Sequence, residues 1–507
     1  MGIEPHGKIT HWHKNIIQAL NRIGNSDLAN VKSQSCYTKN VVMLFQDKPR
    51  ILQYFNEHGI LVSPEALQVI LDRSMGDLIP KMLSPEILQA GYLDEGTVRK
   101  LLRGDTAVND QDFEVYFPDI RVNSSVEDFR QMFVSKYTKL KKIVMASSTM
   151  RGSVDIKKAK ISTGEVKVIG MVSSVDVTKN GHKRIVIEDM DESIQAILMK
   201  DRNADELILQ DEVIGLVGSV SRGKGDPVIF VKEIVRPDIP YRMIDETKRE
   251  PVYVASLSDI HVGSKTFRKD DFRAMINWIK SSREEAEKLK YLILSGDVVD
   301  GIGVYPGQDE DLEILNPLEQ YAKLGEYLVE VPDDIHVFVM PGNHDSVRLA
   351  EPQPLFSEKI RSLFERNVTL IPNPYNLRIH KKNILIYHGM SLNDMVELVP
   401  GANFETIGKA IDEILKRRHL APKYGGKTPL IPSKNDYHVI EEVPDIFITG
   451  HIHSHYLGNY KGVRYVNSST WQSQTDYQKM MNFAPNPSKI TLFDLYSKST
   501  IIKDFKS

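Results

Sequence analysis

Five apolar, β-branched runs in the second half of the chain each end on a short polar cluster. The runs are Val252 to Leu257, Tyr291 to Leu294, Ile335 to Met340, Ile384 to Tyr387 and Ile446 to Thr449. The clusters that follow them are Asp259-Ile260-His261, Gly296-Asp297-Val298-Val299-Asp300, Gly342-Asn343-His344-Asp345, His388-Gly389 and Gly450-His451-Ile452-His453. Such runs read as buried strands, and open α/β sheets gather their active groups just past the carboxyl ends of strands. The repeat therefore restricts the chain from about residue 250 onward to an α/β architecture with its chemistry on one rim.

Aspartate, asparagine and histidine delivered together form the ligand set of a two-metal hydrolytic site. Two divalent cations roughly 3.5–4 Å apart repel each other, so a carboxylate must bridge them. Asp297 is the natural bridge. Imidazoles suit Mn, Fe, Co or Zn better than Mg or Ca, which favour oxygen cages. The glycines at 296, 342, 389 and 450 fit tight strand-to-loop turns. Any one motif alone is weak, because Asp-x-His or Gly-Asp after a strand is commonly an ordinary turn. The ordered set of five is what points to a site.

That ordered set resembles the calcineurin-like metallophosphoesterase superfamily, from about residue 250 to the C-terminus. Carried over position by position, the resemblance implies one metal on Asp259, His261, Asp297 and His453, and the other on Asp297, Asn343, His388 and His451. It implies in-line hydrolysis, with His344 protonating the leaving oxygen or steadying the phosphate and Asp345 orienting His344. Asp300 is expected to support a ligand from behind. His455 continues the alternation of His451 and His453 and is expected to flank the site on the solvent side.

At 507 residues the chain is long enough for about three domains. A single cysteine, Cys36, excludes an internal disulfide framework. No stretch approaches a membrane span and the first residues have no apolar signal core, so a cytoplasmic location is expected. Lys+Arg 65 against Asp+Glu 68 leaves a net charge of −3, which does not announce a nucleic-acid binder. Local basic patches are Lys136, Lys139, Lys141 and Lys142, then Lys157, Lys158 and Lys160, and Lys416-Arg417-Arg418. Each reads first as a solvated helix or loop face.

Residues 1–120 read as a small helical accessory domain, with helix starts at Ser63-Pro64-Glu65, Ser84-Pro85-Glu86 and Asp94-Glu95-Gly96-Thr97. Residues 121–163 read as a linker helix and mobile loop. Ser124-Ser125-Val126-Glu127 opens the helix, Phe129, Phe133, Tyr137 and Leu140 share a face, and Met145 to Lys160 lacks periodicity. Residues 164–240 contain five strand-like runs with a hairpin at Asn180-Gly181 and a possible short helix over Asp201 to Leu209, a pattern resembling an OB-fold barrel. Its one aromatic, Phe230, supplies a base-stacking platform poorly.

A helical region, a linker helix, an OB-like barrel and then a phosphoesterase domain over 250–507 resemble, in that order, the small-subunit family of the archaeal D-family DNA polymerases. Pro422 to Leu430, Val443-Pro444-Asp445 and Ser469 to Thr475 extend the likeness beyond the metal motifs. The resemblance implies a proofreading 3′–5′ exonuclease that uses two divalent metal ions, Mn first. Its expected partners are a large polymerase subunit that carries synthesis, and DNA, especially single-stranded 3′ ends. A stand-alone phosphodiesterase, a break-repair nuclease and an inactive scaffold subunit are the alternatives, the last disfavoured by the intact ligand set.

Overall fold

The computed structural model describes residues 48–72, 92–93, 113–114, 125–203, 206–222, 225–242, 249–281, 284–364, 367–480 and 483–507. Cys36 and the helix starts at Ser84 and Asp94 lie outside them. The chain divides into two compact units, Met1–Val108 and Asn109–Ser507.

In the first unit, helix α1 (Lys48–Glu57), strand β1 (Leu61–Val62), helix α2 (Pro64–Asp72) and strand β2 (Tyr92–Leu93) surround a small core. Ser63 caps α2 as its sequence suggests, its Oγ accepting the Ala66 N–H at 3.1 Å. Ile51, Phe55, Leu67 and Ile70 close the core, and β1 pairs with β2 in parallel.

The second unit begins earlier than the sequence suggests. Strand β3 (Phe113–Glu114), expected within the helical region, pairs with a strand of the C-terminal half, so the boundary at 120 is corrected. Helix α3 (Val126–Met145) starts on a capping box between Ser125 and Asp128. Its Tyr137, Leu140 and Val144 pack on the barrel, while Phe129 and Phe133 meet Tyr424 at ring distances of 5.1 and 5.5 Å.

The expectation of a mobile linker over 145–160 is corrected too. Helix α4 (Ile156–Ile161) joins the barrel core with Ile156 and Ala159 at 0% exposure. Six residues with three lysines are too few to reveal a period, and burial of two small faces decides the matter.

Strands β4 (Gly164–Val177), β5 (Lys183–Glu188), β6 (Ser193–Leu198), β7 (Val213–Ser221) and β8 (Val228–Val235) close a barrel in the order β4-β5-β6-β8-β7. All five correspond to the sequence runs. Of the helix anticipated over 201–209, the described residues show Lys200–Asn203.

The rest is two six-stranded sheets. One runs β12-β11-β10-β9-β18-β19 and the other β16-β17-β15-β14-β13-β3. In the first, β9 (Tyr253–Leu257), β10 (Leu289–Ser295), β11 (His336–Met340) and β12 (Val368–Leu370) are parallel, and β18 (Lys489–Asp494) and β19 (Thr500–Asp504) are antiparallel. In the second, β13 (Tyr375–Ile379) and β14 (Lys382–Ile386) form a hairpin, β14, β15 (Ile446–Thr449) and β17 (Val463–Asn467) are parallel, and β16 (Tyr456–Tyr460) covers the far edge.

Alternation along the strands sorts the cores. Ile293 on β10, Ile384 and Ile386 on β14 and Ile448 on β15 share one core between the sheets. Leu292 and Leu294 face helices α5 (Lys269–Ile279) and α6 (Pro317–Val329). Leu385 and Phe447 face α7 (Leu392–Leu398) and α8 (Gly408–Arg417). The result is a sandwich of two sheets with helices outside each.

Of the basic patches, Lys157 and Lys158 are exposed as read from the sequence, while members of the other two are buried. Lys136 is 4% exposed and donates to the Pro422 carbonyl at 2.6 Å. Arg417 is 2% exposed and pairs with Glu212 at 2.7 Å, tying α8 to the barrel, while Arg418 donates to the Ile440 carbonyl at 2.7 Å. Among the described residues, no helix is long and apolar enough to cross a membrane.

Candidate metal centre

The carboxyl ends of β9, β10, β11, β14 and β15 deliver every polar cluster identified in the sequence. The loops are laced to one another: the Asp259 N–H donates to the Gly296 carbonyl at 2.9 Å, the Gly450 N–H to the His388 carbonyl at 2.7 Å, and the His451 N–H to Asp259 Oδ2 at 2.9 Å. Gly342 has to be glycine because a Cβ there would meet the Asp297 carboxylate and the His388 ring. Five donors sit in the left-handed region that L-residues avoid: Asp259 (φ 53°), His261 (54°), Asp297 (49°), His451 (70°) and His453 (56°). Strain of this kind persists where surrounding structure over-determines it, and it clusters at functional sites.

The donors fall into two sets. Ligand atoms of Asp259, His261 and His453 lie within 4.8 Å of one another, and so do those of Asp297, His388 and His451. Asn343 Oδ1 is 3.0 Å from His388 Nε2, which is 3.2 Å from Asp297 Oδ2. A third grouping, His261, Asp300 and His344, shares its first member with the first set.

The rings are oriented for ligation. His261 Nδ1 donates to Asp300 Oδ1 at 2.7 Å and His388 Nδ1 donates to the Ser295 carbonyl at 2.9 Å, which turns each Nε2 inward. His261 Nε2 and His453 Nε2 then face each other at 3.1 Å. Asp259 Oδ1, 3.3 Å from His453 Nε2, is buried and makes no hydrogen bond. An orphaned buried carboxylate oxygen beside two converging imidazole nitrogens fits a divalent cation.

The site's electrostatics follow from its burial. Burial pushes the Asp259 and Asp297 carboxyls up, but the imidazoles of His453 and His388 outweigh it and hold both below the usual range. Burial pushes His388 down, yet Asp297 raises it to about 10. Burial takes His451 down to about 3 and lowers His261 despite Asp300. At His344 the burial effect is overcome by Asp297 and Asp300, which raise its pKa.

Two sequence assignments change. Asp345 does not orient the His344 imidazole. Its Oδ2 accepts the Gly342 N–H at 2.8 Å and its Oδ1 accepts the Tyr321 hydroxyl at 2.9 Å, so it fixes the loop, with burial and Asp297 raising its pKa to about 7. The His344 imidazole is instead tied through Nδ1 to the Asp300 carbonyl at 2.9 Å. His455 is half-buried rather than solvent-facing, bonded to Thr491 Oγ1 at 2.8 Å. Asp300 stands behind His261.

Some contributors carry no motif. Gln472 Nε2 reaches Asp300 Oδ1 at 3.3 Å, Gln478 Nε2 reaches His453 Nδ1 at 2.9 Å, and Asn393 Nδ2 reaches His451 Nε2 at 2.8 Å. Gln472 and Thr475 belong to the Ser469 to Thr475 segment noted in the sequence, and Thr470 Oγ1 there donates to the Asp259 carbonyl at 2.8 Å. Nothing in the local pattern of Asn393 or Gln478 signals its role.

Sandwich, barrel and buried donor sets together define a multidomain α/β protein with a histidine and carboxylate centre suited to divalent cations. Residues 254–458 match the family model for the B subunits of DNA polymerases alpha and epsilon. A DNA polymerase II small subunit of Thermoplasma acidophilum is 68% identical over 460 residues, covering 90% of this chain and 93% of that one. Those of Archaeoglobus fulgidus and Pyrococcus horikoshii are 42% and 36% identical, covering 73% and 84% of this chain and 75% and 73% of theirs. The chain belongs to the DNA polymerase II small-subunit family.

Proposed function

We propose that this chain is the proofreading 3′–5′ exonuclease subunit of a two-subunit DNA polymerase, acting on single-stranded 3′ ends beside a large subunit that carries synthesis. The observation that carries the hydrolytic reading is the orphaned Asp259 Oδ1 beside the facing Nε2 atoms of His261 and His453, with a second donor set built on Asp297. Asp259, His261 and His453 would hold one cation, and Asn343, His388 and His451 the other, with Asp297 shared. Mn fits the donor chemistry first, then Fe, Co or Zn. When bound, such ions offset the charge that develops on the phosphoryl oxygens.

His344 is the proton donor to the leaving oxygen. Its Nδ1 is committed to the Asp300 carbonyl, so Nε2 is the nitrogen free for substrate, and Asp297 and Asp300 favour its acid form by raising its pKa. The family supplies the choice of DNA and the direction of cleavage. The sandwich supports a metallophosphoesterase domain over 250–507, and the closed five-stranded barrel supports an OB-fold over 164–240. Phe230, 43% exposed, is the barrel's one aromatic, so its main task is holding the catalytic half and the large subunit in fixed relation.

Co-expression with the large subunit, followed by a Mn-dependent assay on end-labelled single-stranded DNA, tests the proposal. Asp297→Ala is expected to abolish cleavage while the complex still forms. Wild-type cleavage by that variant overturns the two-metal reading.

A further inference from the structure

The cavity that holds the donor sets has a volume of about 470 Å³. Beside the donors, its wall combines Val304, Tyr305, Phe404, Ile452 and Phe483 with the neutral polar Asn393, Gln472, Thr475 and Gln478. Lys427 is its one lysine or arginine among the described residues. A wall with a single cation, itself paired with Glu397, has little charge with which to place a polynucleotide by its phosphates.

Phe404 is 36% exposed, and neither it nor Phe483 belongs to a hydrophobic core of the described residues. Both are nevertheless fixed. Asn403 Oδ1 accepts the N–H groups of Glu405 and Thr406 at 2.9 and 2.7 Å and so pins the Phe404 loop. The Phe483 N–H donates to the Gln478 carbonyl at 2.9 Å, and its carbonyl accepts Gln474 Nε2 at 2.8 Å. The same Gln478 touches His453. The two rings meet edge to face at 5.5 Å, so Phe483 braces Phe404. An exposed ring held this firmly, in the cavity of a phosphodiester-cleaving centre, matches the flat aromatic group that lies beside every phosphate of a nucleic acid.

Resting on the hydrolytic reading above, we propose that Phe404, braced by Phe483, stacks on the base of the terminal nucleotide of an unpaired strand and so positions it for cleavage. A terminal base that is paired must give up its pairing and its stack on the duplex before it can turn onto Phe404, and the site therefore selects frayed or mismatched ends.

The test compares the full-length chain with its Phe404→Ala and Phe404→Trp variants on two end-labelled single strands in Mn. One ends in an ordinary nucleotide and the other in an abasic residue. The wild type is expected to show the lower KM on the base-bearing end by about tenfold, within the ~1–3 kcal/mol of a stacked base. Phe404→Ala brings the two KM values together and Phe404→Trp keeps them apart. A preference that survives Phe404→Ala, or a wild type without one, overturns the inference. A wild type that cleaves neither strand rejects the hydrolytic reading instead. Stacking is then scored by the Kd values of the same two strands, with the same loss of discrimination required.

Discussion

Replacing Asp300 by alanine separates cation binding from folding. Its carboxylate fixes the His261 tautomer and raises the basicity of Nε2 through the 2.7 Å bond to Nδ1. Loss of such outer support costs about 10–100-fold in metal affinity, or about 1.4–2.7 kcal/mol. The carboxylate also accepts Gln308 Nε2 at 3.2 Å and Gln472 Nε2 at 3.3 Å. Each of these buried amides keeps a second acceptor, the Asp300 carbonyl at 2.8 Å and Ser264 Oγ at 3.0 Å, so those two bonds cost below about 1 kcal/mol each, and the buried His261 Nδ1–H left without its acceptor adds about 1–3 kcal/mol. Equilibrium dialysis against Mn with elemental analysis reads the affinity, and thermal unfolding in chelator reads the fold. Asp300→Asn, which can still accept from Nδ1, falls between wild type and alanine. Unchanged Mn affinity in Asp300→Ala refutes the support role.

Three further outcomes are expected. His344→Ala retains both metals by elemental analysis and loses about 10²–10⁴-fold in cleavage rate, with a smaller loss on a substrate whose leaving group needs no proton; loss of metal shows that His344 is a ligand. Arg417→Ala strands buried Glu212, which keeps Arg236 at 3.4 Å, so a destabilisation of about 3 kcal/mol, the lower end for a broken buried pair, is expected in denaturant titration. His438, lowered by burial but raised to about 9 by Asp436 and Glu351, contributes stability that is complete below its unfolded pKa of about 6.5 and lost as pH rises through about 9. The Tm gap between wild type and His438→Gln then narrows across that window, and a gap constant from pH 6 to 9 contradicts the assignment.

The strand runs and the helix over 126–145 were legible because each carries its own period and its own start or stop signal. The clustering of the aspartates and histidines was legible because strand ends restrict where such side chains can gather. Asp345 shows the limit of that logic. Its motif says that it stands next to His344 in sequence, but only the packed loop says that its oxygens turn to Gly342 and Tyr321. Lys136 and Arg417 read as solvated because a local window cannot see the Pro422 carbonyl or Glu212, each about two hundred or more positions away. Phe404 and Phe483 were silent for the same reason: they become a pair only when two loops close on one cavity.

The left-handed backbone at five donor positions has an evolutionary reading. Each of Asp259, His261, Asp297, His451 and His453 holds a conformation that glycine adopts freely and that costs other residues about 1–3 kcal/mol. On the reading that these side chains hold cations, selection for that binding opposes the cost. In a lineage that stopped cleaving DNA, these sites would drift toward glycine ahead of Asn343 or His388, whose φ is ordinary, and the fold would gain stability as it lost its chemistry. The order in which donors disappear would then record the relief of backbone strain rather than the importance of each ligand.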